Sequence, residues 1–234
     1  MIVAFTVNNR PGYLRETLAS WEKARGVGNI RLLFCCEPGS PESVQVCEEV
    51  AFAPRAVVVN PLRYGVLGNA WNALNCGFLE DEIVILAEED LVVSPDVLEY
   101  FTWAQRYRYD PDVLGVTTYQ HHEQPGGLAG AGPADWSRDD EFHFWVWGTW
   151  RDRWHSLLKG TWDLTYARLG WDWDLRNRLV LGAGMTMIAP SLARSQHIGR
   201  DGGSHATPDQ YDGLLSRCYA GDDVPPQHYQ EVSL

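Results

Sequence analysis

Four times within its first hundred residues the chain alternates a continuous apolar run with a stretch of helical period. IVAFTV at 2–7 reads as a buried strand, and Leu14, Leu18 and Trp21 then recur at the spacing of one helix face. IRLLFCC at 30–36 is a second strand, and Ser40 and Pro41 stand in the order of a cap and a first-turn proline for the helix that follows. AVVV at 56–59 is a third strand, before a helix striped by Leu67, Trp71, Leu74 and Phe78. IVILA at 83–87 is a fourth. Ser94 then reads as a cap, Pro95 as the first helical residue and Asp96 as a charge near the positive end of the helix. Strands that are apolar throughout are covered on both faces. The pattern therefore predicts an α/β fold with a mostly parallel central sheet flanked by helices.

Beyond residue 110 the rhythm changes. Residues 112–118 read as one more strand. The segment from Tyr119 to Asp140 is rich in Gly, Pro and polar residues and reads as a long loop, a feature usually tied to function in compact domains. EFHFWVW at 141–147 alternates like a strand, Trp150, Trp154 and Leu157 share a helix face, 171–179 reads as a short helix and 184–190 as a strand. After Ile198 the glycine-rich, polar sequence reads as loop and tail. Many of the eleven tryptophans fall between Trp136 and Trp173, so they serve one region rather than the whole core.

Composition narrows the classes of partner. With 234 residues and 45% hydrophobic content, one domain with a smaller C-terminal region can bury a real core. The formal net charge of −12 disfavours a nucleic acid backbone or an anionic membrane as partner, without excluding a local basic cleft. No apolar run is long enough for a membrane span, and the N-terminus enters a strand pattern at once, without the signature of a leader. Five cysteines (Cys35, Cys36, Cys47, Cys76 and Cys218) are an odd number without metal-site spacing. Reduced thiols and a cytoplasmic location are the expectation.

An open α/β sheet binds ligands beyond the carboxyl ends of its strands. Three polar clusters fall there: Asn8, Asn9 and Arg10 after the first strand, Glu37 after the second, and Glu88, Glu89 and Asp90 after the fourth. Neither a Gly-x-Gly-x-x-Gly turn nor a Gly-x-x-x-x-Gly-Lys-Ser/Thr loop is present, so a dinucleotide site and a P-loop are disfavoured. A carboxylate cluster without a phosphate loop points to phosphate held through a divalent cation. Hard oxygen ligands suit Mg²⁺ or Mn²⁺. Against this stand plainer readings, namely a solvated acidic turn and, for Asp172 and Asp174, the capping of a helix N-terminus.

Four stretches carry a resemblance: FTVNNRPGYLRETL at 5–18, AEEDLVVSPDVLEYF at 87–101, GWDWDLR at 170–176 and HIGRDGGSH at 197–205. Together they resemble the N-acetylglucosaminyltransferase I family of GT-A glycosyltransferases, in which an acidic motif ends a strand and holds a metal on the sugar-nucleotide diphosphate. The resemblance implies a nucleotide-sugar-binding half at 1–110, an acceptor and catalytic half at 111–205 and a tail at 206–234. It implies a UDP-sugar donor, Mn²⁺ or Mg²⁺, and transfer to a hydroxyl with inversion.

Site roles follow position by position. Arg10, with Thr6 and Asn8 beside it, matches the nucleotide side, and Glu37 an acid that recognises the base. Glu88 matches an acid near the donor sugar and Glu89 one near the ribose and metal. Asp90 matches the direct metal ligand. Asp172 matches the catalytic base, with Asp174 as rival because Trp173 and Asp174 swap the expected order. Ser204 matches a donor-phosphate contact. Arg200, His197 and His205 sit in a loop suited to a leaving diphosphate, with His205 also a metal candidate. His121 and His122 read as exposed loop residues. Trp145, Trp147, Trp171 and Trp173 are candidates to stack on sugar rings. The motif reads Glu-Glu-Asp where the family more often has Glu-Asp-Asp. The acceptor stays open among protein, glycan, lipid-linked sugar, small metabolite and hydroxymethylated bases of phage DNA. A sugar nucleotidylyltransferase or a non-catalytic carbohydrate-binding module are the alternative classes.

Overall fold

A computed structural model of the chain describes residues 1–119, 132, 134–140, 142–164, 174–201 and 228–231. The predicted alternation is present. Strands β1 (Ile2–Val7), β2 (Arg31–Cys36), β3 (Arg55–Val59) and β4 (Ile83–Glu88) alternate with helices α1 (Pro11–Glu22), α2 (Pro41–Glu48) and α3 (Gly65–Glu80), and α4 (Val97–Ala104) follows. β1 lies between β2 and β4, parallel to both, and β3 continues the parallel set beyond β2.

The period-two alternation of each strand sorts its side chains between two cores. Val3, Phe5, Val7, Phe34 and Ile85 pack with Leu14, Leu18 and Trp21 of α1, while Ile2, Ala4, Leu33 and Leu86 pack on the other face with Leu74 and Phe78 of α3. This is why the strands read as continuous apolar runs. The face carrying Phe5 also stacks it on Phe34, centroids 5.0 Å apart, with Trp21 edge-on.

The remaining strands make the sheet mixed. In chain order they are β5 (Leu91–Val93), β6 (Val113–Thr117), β7 (Asp135–Asp139), β8 (Trp147–Trp150), β9 (Thr186–Pro190), β10 (Ser195–His197) and β11 (Gln230–Glu231). The nine-stranded sheet runs β11-β7-β9-β6-β8-β4-β1-β2-β3, and β10 and β5 form a separate antiparallel pair. β8 is antiparallel to both β4 and β6 and joins the two halves of the sheet. Two glycines permit that seam. A Cβ on Gly115 would lie 2.6 Å from the Gly148 carbonyl, and one on Gly148 would lie 3.0 Å from Phe101 and 3.2 Å from the Val84 carbonyl.

Several sequence expectations are corrected. The helix after Ser94 starts two residues later, with Asp96 at its cap, and the Ser94 hydroxyl donates to Asp96 Oδ1 at 2.6 Å. The long loop contains β7, whose Asp135, Ser137 and Asp139 are buried, so its polarity hid a strand. Among the described residues of the 141–147 run, only Trp147 is in a strand, because Val146 takes a left-handed φ of 54° that breaks the alternation. Trp150 ends β8 rather than facing from a helix, and the helical run begins at Arg151. That run spans 151–161, with a π-helical middle at Trp154–Leu158. The other short helix continues to Leu181, and its expected start at 171–173 lies outside the described residues. The tail contributes β11, parallel to β7. His121 and His122 lie outside the described residues. No helix among the described residues is long and apolar enough to cross a membrane.

Candidate functional site

The polar clusters predicted after β1 and β4 meet. Thr6 is in register with Glu88 on the paired ends of these strands, and its hydroxyl lies 3.5 Å from the Ala87 carbonyl. The chain then leaves β1, and the Asn8 amide donates to Glu89 Oε2 at 2.7 Å. Arg10 reaches across with Nε 2.9 Å from Glu89 Oε1 and Nη2 2.7 Å from Asp90 Oδ2. Glu89 is further fixed through its carbonyl, which accepts the Thr17 hydroxyl of α1 at 3.0 Å. Glu88 is half-buried at the last position of β4.

Asp90 is only 1% exposed, and its environment is asymmetric. Oδ2 meets Arg10 and also His197 Nε2 at 3.0 Å, whereas Oδ1 is buried with no hydrogen-bond partner. Burial pushes the Asp90 carboxyl up, but the hydrogen bonds and charges of His197 and Arg10 outweigh it and hold the group below the usual carboxylate range. Burial likewise pulls the Arg10 guanidinium down, and Asp90 and Glu89 more than compensate, so it is raised.

His197 is the residue that local sequence did not single out as a partner of Asp90. It ends β10, which pairs with β5 so that His197 is opposite Leu91, next to Asp90. Its Nδ1 lies 3.2 Å from the Gly199 amide nitrogen, and its Nε2 faces Asp90. The Ile198 amide donates to the Asp90 carbonyl at 2.9 Å. Gly199 is packed so closely on Asp90 and Arg10 that a Cβ there would collide with Asp90 Oδ2. The only local signal was a three-residue polar strand, and its pairing partner is remote in sequence. His205, the histidine favoured on sequence, lies outside the described residues, as do Ser204, Asp172, Trp171 and Trp173.

Around this centre, Arg10 lies 5.7 Å from the Tyr13 ring, and the Tyr13 hydroxyl accepts the Asp201 amide at 3.2 Å. An open groove of about 490 Å³ is lined by Arg10, Gly12, Tyr13 and Glu16. Arg200 is largely exposed, 3.9 Å from Asp201. On the other flank Glu37 is buried at the end of β2, and its two oxygens accept the Tyr64 amide at 3.0 and 3.1 Å. Arg63, from the same loop, donates to Asn8 Oδ1 at 2.7 Å.

The aromatic candidates separate. Trp145 is half-buried, its ring centroid 5.2 Å from that of His197 and 4.5 Å from Tyr119, so it borders the centre. Trp147 is fully buried and packed edge-on with Phe142 and Phe144, which leaves no face for a sugar. Asp174 is half-buried and paired with Arg178 one helical turn on. Among the described residues no three His, Cys, Asp or Glu side chains are grouped to hold a metal ion by themselves.

No family model matches the chain. A human alpha-1,6-mannosyl-glycoprotein 2-beta-N-acetylglucosaminyltransferase is 23% identical over 266 aligned positions, covering 88% of this chain. The chain spans only 59% of that relative's length. Among solved structures, S. aureus TarS 1–349 in complex with UDP-GlcNAc superposes with a TM-score of 0.63 at 13% identity, covering 91% of this chain and 64% of that one. Mannosyltransferase PcManGT from Pyrobaculum calidifontis, in complex with GDP-Man and Mn²⁺, gives a TM-score of 0.56 at 17% identity, covering 81% and 54%. Sheet, helices and neighbours agree: the chain has the fold of the GT-A glycosyltransferases, and its sequence resembles an N-acetylglucosaminyltransferase.

Proposed function

We propose that the protein transfers a sugar from a nucleoside-diphosphate sugar to an acceptor hydroxyl, with a divalent metal and inversion at the anomeric carbon. The observation that carries this reading is the convergence of Arg10, Glu89, Asp90 and His197 at the carboxyl ends of β1 and β4, with one Asp90 oxygen buried and unpartnered. An orphaned buried carboxylate oxygen is costly unless something binds it. A single carboxylate completed by substrate phosphates is the donor set Mg²⁺ and Mn²⁺ accept. The residues therefore fit a metal, which Asp90 Oδ1 would hold, with Glu89 and His205 as the further candidate ligands. The neighbours above, one in complex with UDP-GlcNAc and one with GDP-Man, support a nucleotide-sugar donor, and the sequence resemblance favours uridine as its base.

In this reading Arg10, Asn8 and Thr6 meet the nucleotide side, Glu37 fixes the base-side loop through the Tyr64 amide, and Glu88 faces the donor sugar. Arg200 and Ser204 meet the diphosphate. Asp172, or Asp174 in its place, takes the proton from the acceptor hydroxyl as its oxygen bonds to the anomeric carbon and the bond to the diphosphate breaks. The bound cation supplies charge that offsets the negative charge on the departing diphosphate. Trp145, beside His197, would shield the centre from water and stack on a sugar ring.

The test is donor hydrolysis across a panel of nucleotide sugars, with and without Mn²⁺, beside Asp90→Ala. Metal-dependent nucleotide release from one donor, abolished in Asp90→Ala, is expected. No release and no metal-dependent binding of any donor would overturn the transferase reading in favour of a binding module.

A further inference from the structure

Asp96 and Arg194 form an ion pair in which both side chains are 0% exposed, and no step proposed above uses it. Arg194 Nε lies 2.9 Å from Asp96 Oδ2, which also accepts the Tyr229 hydroxyl at 3.0 Å, while Oδ1 accepts the Ser94 hydroxyl. Arg194 Nη1 donates to the Leu192 carbonyl. A buried ion pair is weak evidence for stability, because apolar residues of the same volume generally do as well. Its best-attested use is to specify one register among several. Here there is a register to specify. Arg194 directly precedes β10, and Asp96 follows β5 at the cap of α4. β5 and β10 pair over just three positions, Ser195 with Val93, Gln196 with Val92 and His197 with Leu91. A pair that short is marginal by itself, and a slip of one residue turns every side chain to the opposite face. His197 would then leave Asp90.

We propose that the Asp96–Arg194 pair is a positioning device that locks the register of β10 on β5 and so presents His197 to Asp90. Backbone contacts continue the lock. The Arg194 carbonyl accepts the Ser94 amide at 3.0 Å, and the Arg194 amide donates to the Thr118 carbonyl at 2.7 Å. The Ser195 hydroxyl is held between Thr118 Oγ1 at 2.6 Å and the Trp145 carbonyl at 3.0 Å. Arg194 and Asp96 therefore touch neither donor nor metal and act through His197. The functional meaning of the lock rests on the donor-site reading above, but its geometry does not.

The test replaces both partners, Asp96→Leu with Arg194→Met, in the full chain without ligand. The expected result is a cooperative melt close to that of the parent, while the His197 imidazole, followed by nitrogen–proton correlation, changes from one set of signals to several. Mn²⁺ affinity in the presence of UDP should fall about tenfold, the scale seen when a residue orienting a metal-site group is removed. A single, unshifted His197 set in the double variant overturns the proposal. Should the double variant not fold, Arg194→Lys carries the test, since lysine keeps the charge but cannot span both Asp96 and the Leu192 carbonyl. Faster hydrogen exchange at the Ile198 amide, with β1 amides unchanged, is then expected, and unchanged Ile198 protection overturns the lock. If the parent releases nucleotide from no donor, the transferase reading fails while the His197 spectrum still judges the lock.

Discussion

Arg10 Nη2 lies 2.7 Å from Asp90 Oδ2, so the first loop of the chain supplies the counter-charge for a carboxylate that is almost fully buried. The same guanidinium binds Glu89 through Nε. One side chain thus compensates two buried acids.

Arg10→Ala should therefore destabilise the fold by about 3 kcal/mol, the scale for removing one partner of a buried pair. Urea unfolding measures it. A change below about 0.5 kcal/mol would show that solvent already screens the pair.

Gly199→Ala tests the close packing of the histidine loop on Asp90. The added Cβ has no room beside Asp90 Oδ2, so the loop must shift, at a cost of about 2 kcal/mol. UDP binding with Mn²⁺, measured by calorimetry, should weaken by at least tenfold. Unaltered affinity would mean that the loop contacts are not part of donor binding.

The two neighbouring tryptophans should fail in different ways. Trp147→Ala removes a core side chain and should cost about 3–5 kcal/mol of stability. Trp145→Ala should leave the melting temperature within a few degrees while raising KM for donor or acceptor severalfold. Swapped outcomes would reverse the assignment of which ring meets a sugar.

Asp172→Asn should lower kcat by about 10²–10⁴ with donor affinity retained, as expected for loss of a general base. Asp174→Asn should lose no more than an exposed helix pair with Arg178, about 0.5 kcal/mol, and keep most activity. The reverse pattern would move the base to Asp174.

Cys76 should be the reactive thiol among the described cysteines. A hydrogen bond from Cys35 draws Cys76 down to about 7, whereas hydrogen bonding and burial push Cys35 and Cys47 up. The thiolate is the nucleophile, so iodoacetamide labelling at Cys76 should rise through pH 7 and level off above it. Labelling that still climbs steeply to pH 9 would contradict this, as would equal labelling of Cys36 and Cys47, whose sulfurs lie 4.0 Å apart in the core.

The first hundred residues were legible because each signal there is local. IVAFTV and IVILA carry their own strand pattern, and the acids after them lie where a parallel sheet opens. Later elements depend on distant partners. β7, DWSRD, is polar by composition, yet all of its residues but Arg138 are buried, and it pairs with β9. β5 is too short to announce itself and exists because β10 pairs with it. The same dependence explains the histidine. His197 and His205 look alike in a glycine-rich loop, and only a remote strand register sets His197 on Asp90. Trp147 shows the limit of reasoning by residue type, since its ring suits a sugar but the core took it.

The glycine seam at β8 bears on how the protein can move. Where Gly148 lies against Gly115 and Val84, carbonyl oxygens and the Phe101 and Met187 side chains fill the space that a side chain on either glycine would need. Close packing and strand pairing through β8 consequently hold the two sides of the sheet together. Under the proposed function, a donor would be admitted and a product released beyond the strand ends, above a floor that β8 holds in one piece.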